Sequence, residues 1–210
     1  DRRAAVGSES THRRHPHPRR RPDDFCPHAG FGTAEDLLPA GWQDSSDATY
    51  AKGSRPAPGE PFAVIAIPAI NVEWAVVDGT EPEHLRLGPG LMGHAALPGE
   101  LGNSVIAGHR TTWGAPFNRV DELAPGDRIM VESPTGTHVY EVTSQFVVAP
   151  EDFWVAEHRE GAWLTLTACH PKGSARQRIV TVAKLVDGPN AAFVTEAFWD
   201  VADPRAEEDV

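Results

Sequence analysis

Three side chains in this sequence have the chemistry of a nucleophilic site: Cys169, His109 and Arg178. A cysteine attacks as its thiolate, and a thiolate is stabilised by cationic neighbours such as an imidazolium or a guanidinium. Each of the three residues stands where a strand is expected to begin or end, which favours one shared site over three unrelated positions. The alternative for Cys169 is a small buried apolar residue, because free cysteines are often packed in protein cores.

The segment Trp163–Leu185 is predicted to fold as a strand, a loop and a second strand. Apolar side chains alternate with threonines up to Cys169, as in a strand with one buried face. Pro171 ends this strand, because proline cannot donate a hydrogen bond to a neighbouring strand. Alternation resumes after a polar loop and includes Arg178. The thiol at the end of one strand and the guanidinium on the next are therefore expected to lie side by side.

The remaining elements are also mostly short strands separated by glycine and proline turns. The further predicted strands are Phe62–Ile67, Asn71–Val77, Ser104–Ala107, Arg128–Glu132 and Thr137–Val148. Short helical turns are expected at Glu81–Leu87, at Ala115–Leu123 and within Ala149–Gly161, and a structured loop at Gly88–Gly102 is expected to bring His94 towards the site. Many short strands without helix–strand alternation indicate a mostly β fold, a closed or half-closed β-barrel. In that barrel, the strand Ser104–Ala107 is expected to end just before His109 and to position it.

Composition predicts three regions along the chain. Residues 1–59 are expected to be a disordered basic and polar tail with a linker, because Asp1–Asp24 carries seven arginines and almost no large apolar residue. Residues 60–187 form the barrel, and residues 188–210 a short helix at Ala191–Val201 with an acidic tail. The net charge of −11 argues against a nucleic-acid partner. The basic run near the start suits anionic lipid headgroups instead.

Three stretches carry a resemblance to a known family. TLTACHP resembles the T-L-x-T-C box of the sortases, AGHRTTWGAPF resembles the segment with their catalytic histidine, and RQRIVTVAKL resembles the strand with their arginine. The order His, Cys, Arg also matches. From about Pro61 to Val186 the chain thus resembles the sortases, the cysteine transpeptidases of Gram-positive cell walls. Within the family it most resembles class E, the housekeeping type of high-GC actinobacteria.

The resemblance implies an eight-stranded barrel and a catalytic trio of His109, Cys169 and Arg178. It implies substrate contacts at Trp113, Thr167, Ala168 and His170, and no metal or other cofactor. The family usually has Thr at the position of Ala168, and class E usually has Tyr at the position of Trp113. These two departures bear on how the substrate is held rather than on the nucleophile.

The resemblance also implies the reaction and its setting. A Thr–Gly bond in an LAXTG or LPXTG sorting signal of a secreted protein would be cleaved through a thioacyl intermediate. The acyl group would then pass to an amine of a peptidoglycan precursor of the lipid II type, with hydrolysis as a side reaction. The enzyme would work at the extracellular face of the cell membrane, anchored by a membrane helix outside this chain.

Alternatives from other classes remain open at this point. One is a catalytically silent barrel that binds peptides. Another is a zinc site of His94, His109, Cys169 and His170, although neighbouring strand residues point to opposite faces and would not easily share an ion. A papain-like hydrolase would have its cysteine before its histidine, at the start of a long helix. A pilin-polymerising sortase would carry an Asp-Pro-aromatic lid, and that tripeptide does not occur in this sequence.

Overall fold

Eight strands close into a barrel in the computed structural model, which describes residues 52–194. The strands are β1 (Pro61–Ile67), β2 (Val72–Asp78), β3 (Gly90–Leu91), β4 (Gly102–Ala107), β5 (Arg128–Ser133), β6 (Gly136–Val148), β7 (Ala162–His170) and β8 (Gln177–Asp187). Around the barrel they follow the order β1-β2-β3-β4-β7-β8-β6-β5. The predicted mostly β, closed eight-stranded barrel is confirmed.

Pairing in the barrel is antiparallel except at two places. β2 pairs with β3 in parallel, and β4 pairs with β7 in parallel. The sequence predicted seven of these strands within a residue or two of their ends. It missed β3, because two residues inside a loop rich in glycine and proline are too few to show an alternating pattern.

The barrel interior is filled by apolar side chains from every wall. The largest buried apolar side chains include Tyr140, Phe117, Ile65, Ile67, Leu91, Ile106, Ile129, Leu164, Leu166 and Leu185. A second, smaller cluster of Val155, Val180 and Val182 lies apart from this core, with Phe146, Val148 and Trp163 packed against it. This second cluster explains why β8 is apolar on both faces: one face packs in the barrel and the other holds the β6–β7 connection.

Short helices fill the connections between strands. The α-helices are α1 (Pro82–Leu85) and α2 (Ala191–Val194), and 3-10 helices occupy Pro68–Ile70, Val120–Glu122 and Phe153–Ala156. The predicted helix at Ala191–Val201 therefore begins where expected, and its remaining residues lie outside the described ones. None of the helices in residues 52–194 has the length and apolar character needed to cross a membrane.

Most of the predicted tail, residues 1–51, lies outside the described residues, as does the acidic segment after residue 194. Residues 52–59 are described and precede β1. Arg55 in this stretch forms an ion pair with Asp78 at 2.9 Å and donates hydrogen bonds to the carbonyl oxygens of Met92 and Ala95. This stretch is therefore tied to the barrel. The boundaries of the three predicted regions stay predictions.

Candidate active site

The ends of three adjacent strands bring the predicted catalytic trio together. β4 and β7 run in parallel and pair up to Ala107 and Thr167, and His109 and Cys169 each follow two residues after this last pair. The backbone N–H of Gly108 extends this pairing by donating to the Thr167 carbonyl at 3.0 Å. On the other side of β7, Cys169 is the direct antiparallel partner of Arg178. Because neighbouring strands lie about 4.8 Å apart, the three residues lie at one end of the barrel.

His109 is held by its backbone and left partly open at its side chain. Its carbonyl oxygen accepts a hydrogen bond from the Phe117 N–H at 3.0 Å, which fixes the loop that follows β4. Partial burial lowers the pKa of His109 below its ordinary value of 6.5, because desolvation disfavours the charged ring. At neutral pH the imidazole is therefore mainly neutral, which suits a group that must accept a proton.

Cys169 can supply the nucleophile, and Arg178 can supply hydrogen-bond donors for a negative charge. Cys169 carries a free thiol and is partly exposed, so a substrate can reach it. One terminal nitrogen of Arg178, Nη1, donates to the carbonyl oxygens of Ala175 at 2.9 Å and Gln177 at 3.0 Å. Its Nε and Nη2 groups bond to nothing within residues 52–194, so these donors can hold a negatively charged oxygen. Together the trio can supply a nucleophile, an acid–base group and an anion-stabilising group.

A buried arginine that the sequence did not single out contacts the end of β7 that carries Cys169. Arg110 has a side chain only 1% exposed and forms an ion pair with Asp121 at 2.7 Å. Its Nη1 lies 3.1 Å from Nδ1 of His170 and 3.4 Å from the Cys169 carbonyl oxygen. An arginine just after a strand end is usually exposed, so only the folded chain shows that this one is buried. Its adjacency to His109 is the one signal in the sequence that could have found it.

Asn103 is a second residue that the sequence did not single out. Its Nδ2 donates to the carbonyl oxygens of Val155 and Glu157, both at 3.1 Å, and its Oδ1 accepts from the Thr165 hydroxyl at 2.7 Å. These bonds fasten the β6–β7 connection against β4 and β7. Since β4 leads directly to His109, Asn103 links that connection to the strand that positions the trio.

The four predicted substrate contacts lie in different surroundings. Thr167 is partly exposed and two residues before Cys169, so both side chains share one face of β7. Ala168 points the other way and packs in the barrel core at 3% exposure. Any contact it makes with substrate would come from its backbone. His170 is engaged by Arg110, as described above.

Trp113 lies on the loop after His109, in a strained turn. Trp113, Gly114 and Ala115 have successive positive φ angles of 53°, 74° and 50°. This conformation costs free energy for any residue with a Cβ atom, and such strain tends to persist at functional sites. Trp113 is 54% exposed, and the Arg86 guanidinium lies 5.1 Å from the centroid of its ring. The turn therefore holds a large aromatic surface in the open, four residues from His109.

His94 lies on the β3–β4 loop, at a cavity separate from the trio. The cavity has a volume of about 730 Å³ and is bounded by the β3–β4 loop and the β6–β7 connection. Asn103, Phe153, Glu157 and His158 line it together with His94, and no member of the trio does. Across residues 52–194, no three His, Cys, Asp or Glu side chains cluster closely enough to hold a metal ion.

Comparison with known proteins identifies the family to which this fold belongs. The family model described as the sortase domain matches residues 65–186. Sortase D of Bacillus subtilis is 32% identical over 152 residues, which cover 70% of this chain and 75% of that protein. The chain therefore belongs to the sortase family of transpeptidases.

Both class E and class D sortases are among its relatives. Sortase SrtE1 of Streptomyces coelicolor is 31% identical over 147 residues, which cover 62% of this chain but only 42% of that protein. The structure of sortase E from Streptomyces avermitilis superposes with a TM-score of 0.57 at 33% identity, covering 62% of this chain and 90% of that one. The similarity to sortase E supports a class E-like enzyme.

Proposed function

We propose that this chain is a cysteine transpeptidase that cleaves the Thr–Gly bond of an LAXTG or LPXTG sorting signal and transfers the new acyl end to an amine. The observation that supports the proposal is that Cys169 pairs directly with Arg178, while His109 follows the end of β4, the strand that pairs with β7 on its other side. A nucleophile, an acid–base group and a cationic hydrogen-bond donor within one site are the parts that acyl transfer needs.

In the first half of the reaction, the thiol proton passes to His109 and the Cys169 thiolate attacks the threonine carbonyl carbon. A C–S bond forms, and the carbonyl oxygen becomes an oxyanion. The free N–H donors of Arg178 stabilise that charge, since planar guanidinium donors suit an oxyanion. The oxyanion then collapses, the C–N bond breaks, and His109 returns its proton to the leaving glycine amine. A thioacyl enzyme remains.

In the second half, an incoming amine attacks the thioester carbon. His109 accepts the proton that the amine loses, and the C–S bond breaks to release the Cys169 thiolate. Water attacking in place of the amine gives hydrolysis, which is the proposed side reaction. We take the acceptor to be an amine of a peptidoglycan precursor of the lipid II type, as the family resemblance implies.

Substrate recognition is proposed to involve Trp113, Thr167, Ala168 and His170. The exposed ring of Trp113 and the exposed face of Thr167 support side-chain contacts, whereas Ala168 would act through its backbone. We take LAXTG to be preferred over LPXTG, as the class E resemblance implies. Trp113, at a position where class E usually has Tyr, is the residue through which that preference would differ.

The proposed setting is the extracellular face of the cell membrane. The substrates would be secreted proteins that carry the sorting signal. Attachment to that membrane is proposed because the family resemblance implies it. We propose no metal or other cofactor, because the trio supplies every group that the two half-reactions use.

The test is a two-peptide assay on the purified protein. Fluorescent LAXTG and LPXTG peptides are incubated with an amine acceptor, and mass spectrometry distinguishes the joined product from the hydrolysed one. We expect both products from LAXTG and neither from Cys169→Ala. Joining of LPXTG alone would overturn the class E preference but keep the chemistry. If the thiol can be alkylated and the peptides bind but neither is cleaved, the protein is a binding barrel and the transpeptidase proposal fails.

A further inference from the structure

Arg110 is a buried cation, and not all of its N–H groups have a hydrogen-bond partner. Its ion-pair partner Asp121 is itself 37% exposed and is shared with Lys172 at 3.5 Å. Although burial by itself would raise it, the pKa of Asp121 is lowered by the hydrogen bond and the charge of Arg110. The Nε of Arg110 is buried and has no hydrogen-bond partner within the described residues. Because the desolvation cost of a buried charge can exceed the attraction of its ion pair, stability alone does not explain this arginine.

The hydrogen bond from Nη1 of Arg110 determines the tautomer of the His170 ring. A guanidinium can only donate hydrogen bonds, so Nδ1 of His170 must accept the one at 3.1 Å. A ring that accepts at Nδ1 carries its proton at Nε2. The second hydrogen of Nη1 is directed at the Cys169 carbonyl oxygen, at the longer distance of 3.4 Å. Nη1 of Arg110 therefore contacts both the backbone carbonyl of Cys169 and the side chain of His170.

The backbone of Arg110 is fixed at the same time as its side chain. Its carbonyl oxygen accepts a hydrogen bond from Nδ2 of Asn118 at 2.8 Å. The neighbouring His109 carbonyl is held by the Phe117 N–H at 3.0 Å. Arg110 thus has its main chain anchored beside one catalytic residue and its guanidinium anchored beside the other. It forms a brace between the loop that carries His109 and the end of β7 that carries Cys169.

We propose that Arg110 is a positioning residue for acyl transfer: it holds the Cys169 carbonyl and the Nε2–H tautomer of His170, and so sets the direction of the thiol relative to His109. This inference rests on the proposed function. It also distinguishes the roles of His109 and His170. Nδ1 of His170 is occupied by Arg110, and the acid–base role is left to His109. A misplacement of about 1 Å between reacting groups can lower the rate about 100-fold.

The test compares Arg110→Met with the matched control Arg119→Met. Arg119 is also an ion-paired arginine, but it is 48% exposed and pairs with Glu122. For Arg110→Met we expect a fall in kcat of about 100-fold with little change in KM. We expect the control to stay within about twofold of wild type, since exposed ion pairs contribute little. A near-normal kcat in folded Arg110→Met would overturn the proposal.

A second readout is independent of activity. The ring nitrogens of His170, observed by ¹⁵N NMR, should show the Nε2–H tautomer in wild type and a mixture of tautomers in Arg110→Met. An unchanged tautomer would contradict the assigned hydrogen bond. If wild type joins no peptide, the proposed function fails, while this spectrum still decides whether Arg110 holds His170.

A double-mutant cycle tests whether Arg110 acts through the Cys169–His170 segment. The losses in kcat from Arg110→Met and His170→Ala should be clearly less than additive when combined, because both remove the same contact. Fully additive losses would overturn that route. If Arg110→Met does not fold, Arg110→Lys replaces it in the kcat and NMR measurements. Lysine keeps the charge beside Asp121 but lacks the planar fork, so kcat should still fall and the tautomers should still mix.

Discussion

A buried histidine away from the trio makes the stability of this domain depend on pH. His138 lies on β6 and is fully buried. Its Nε2 lies 3.0 Å from the Ser133 hydroxyl and 2.9 Å from the Thr135 hydroxyl. Its Nδ1 has no hydrogen-bond partner within residues 52–194. A charged ring would carry a second N–H at Nδ1, and that N–H would be buried without an acceptor in this part of the chain, so the site favours the neutral ring.

Burial lowers the pKa of His138 from 6.5 to about 4. The unfolded chain thus binds a proton more readily than the folded one, and stability falls as the pH falls from about 6.5 towards 4. From these two pKa values, protonation lowers the free energy of unfolding by about 2 kcal/mol between about pH 7 and pH 5, and by about 3 kcal/mol at about pH 4. The contribution is fully present above about pH 7.

The measurement is urea denaturation, followed by tryptophan fluorescence, of wild type and His138→Asn across this pH range. Other titrating groups act alike in both proteins, so the difference between the two curves isolates His138. We expect wild type to lose about 2 kcal/mol more than His138→Asn between about pH 7 and pH 5. His94→Asn, which removes an exposed histidine, is the control and should follow wild type. Parallel curves for wild type and His138→Asn would refute the reasoning.

Three further predictions concern the active site. Because burial lowers the pKa of His109, the acid limb of the kcat/KM profile should lie below pH 6.5, and a limb above that value would contradict the assignment. Asn103→Ala removes the two hydrogen bonds from Asn103 to the β6–β7 connection, so the free energy of unfolding should fall by about 1–3 kcal/mol in urea titrations; no change would mean that these two bonds do not stabilise the connection. Trp113→Tyr should change the ratio of kcat/KM for LAXTG and LPXTG without abolishing either, and an unaltered ratio would exclude Trp113 from signal recognition.

Local sequence patterns were sufficient to predict most of the strands. Alternation along Trp163–Leu185 reflects a physical period of two in the side chains of a strand, so it is visible without any tertiary information. The same reasoning failed for β3, whose two residues are too few to carry a period. It also predicted Cys169 and Arg178 as neighbours, because a short loop between two strands leaves antiparallel pairing as the simple outcome.

The site residues that the sequence missed depend on contacts between distant segments. Arg110 lies in the loop after β4, where charge is ordinarily exposed, and nothing local shows that this arginine is buried. Asn103 bonds to residues more than fifty positions away. The burial and hydrogen bonding of such side chains depend on their partners, and the partners come together only when the barrel closes.

The sequence by itself thus determined the type of fold and the order of the three catalytic candidates, since both follow from short-range patterns and short motifs. Only the tertiary structure decided that β4 runs parallel to β7, which brings His109 and Cys169 to the same end of the barrel. A parallel pair needs a long connection, and no local pattern specifies which strands it will join. The buried brace at Arg110 follows from that pairing, because it spans the gap between the two strand ends.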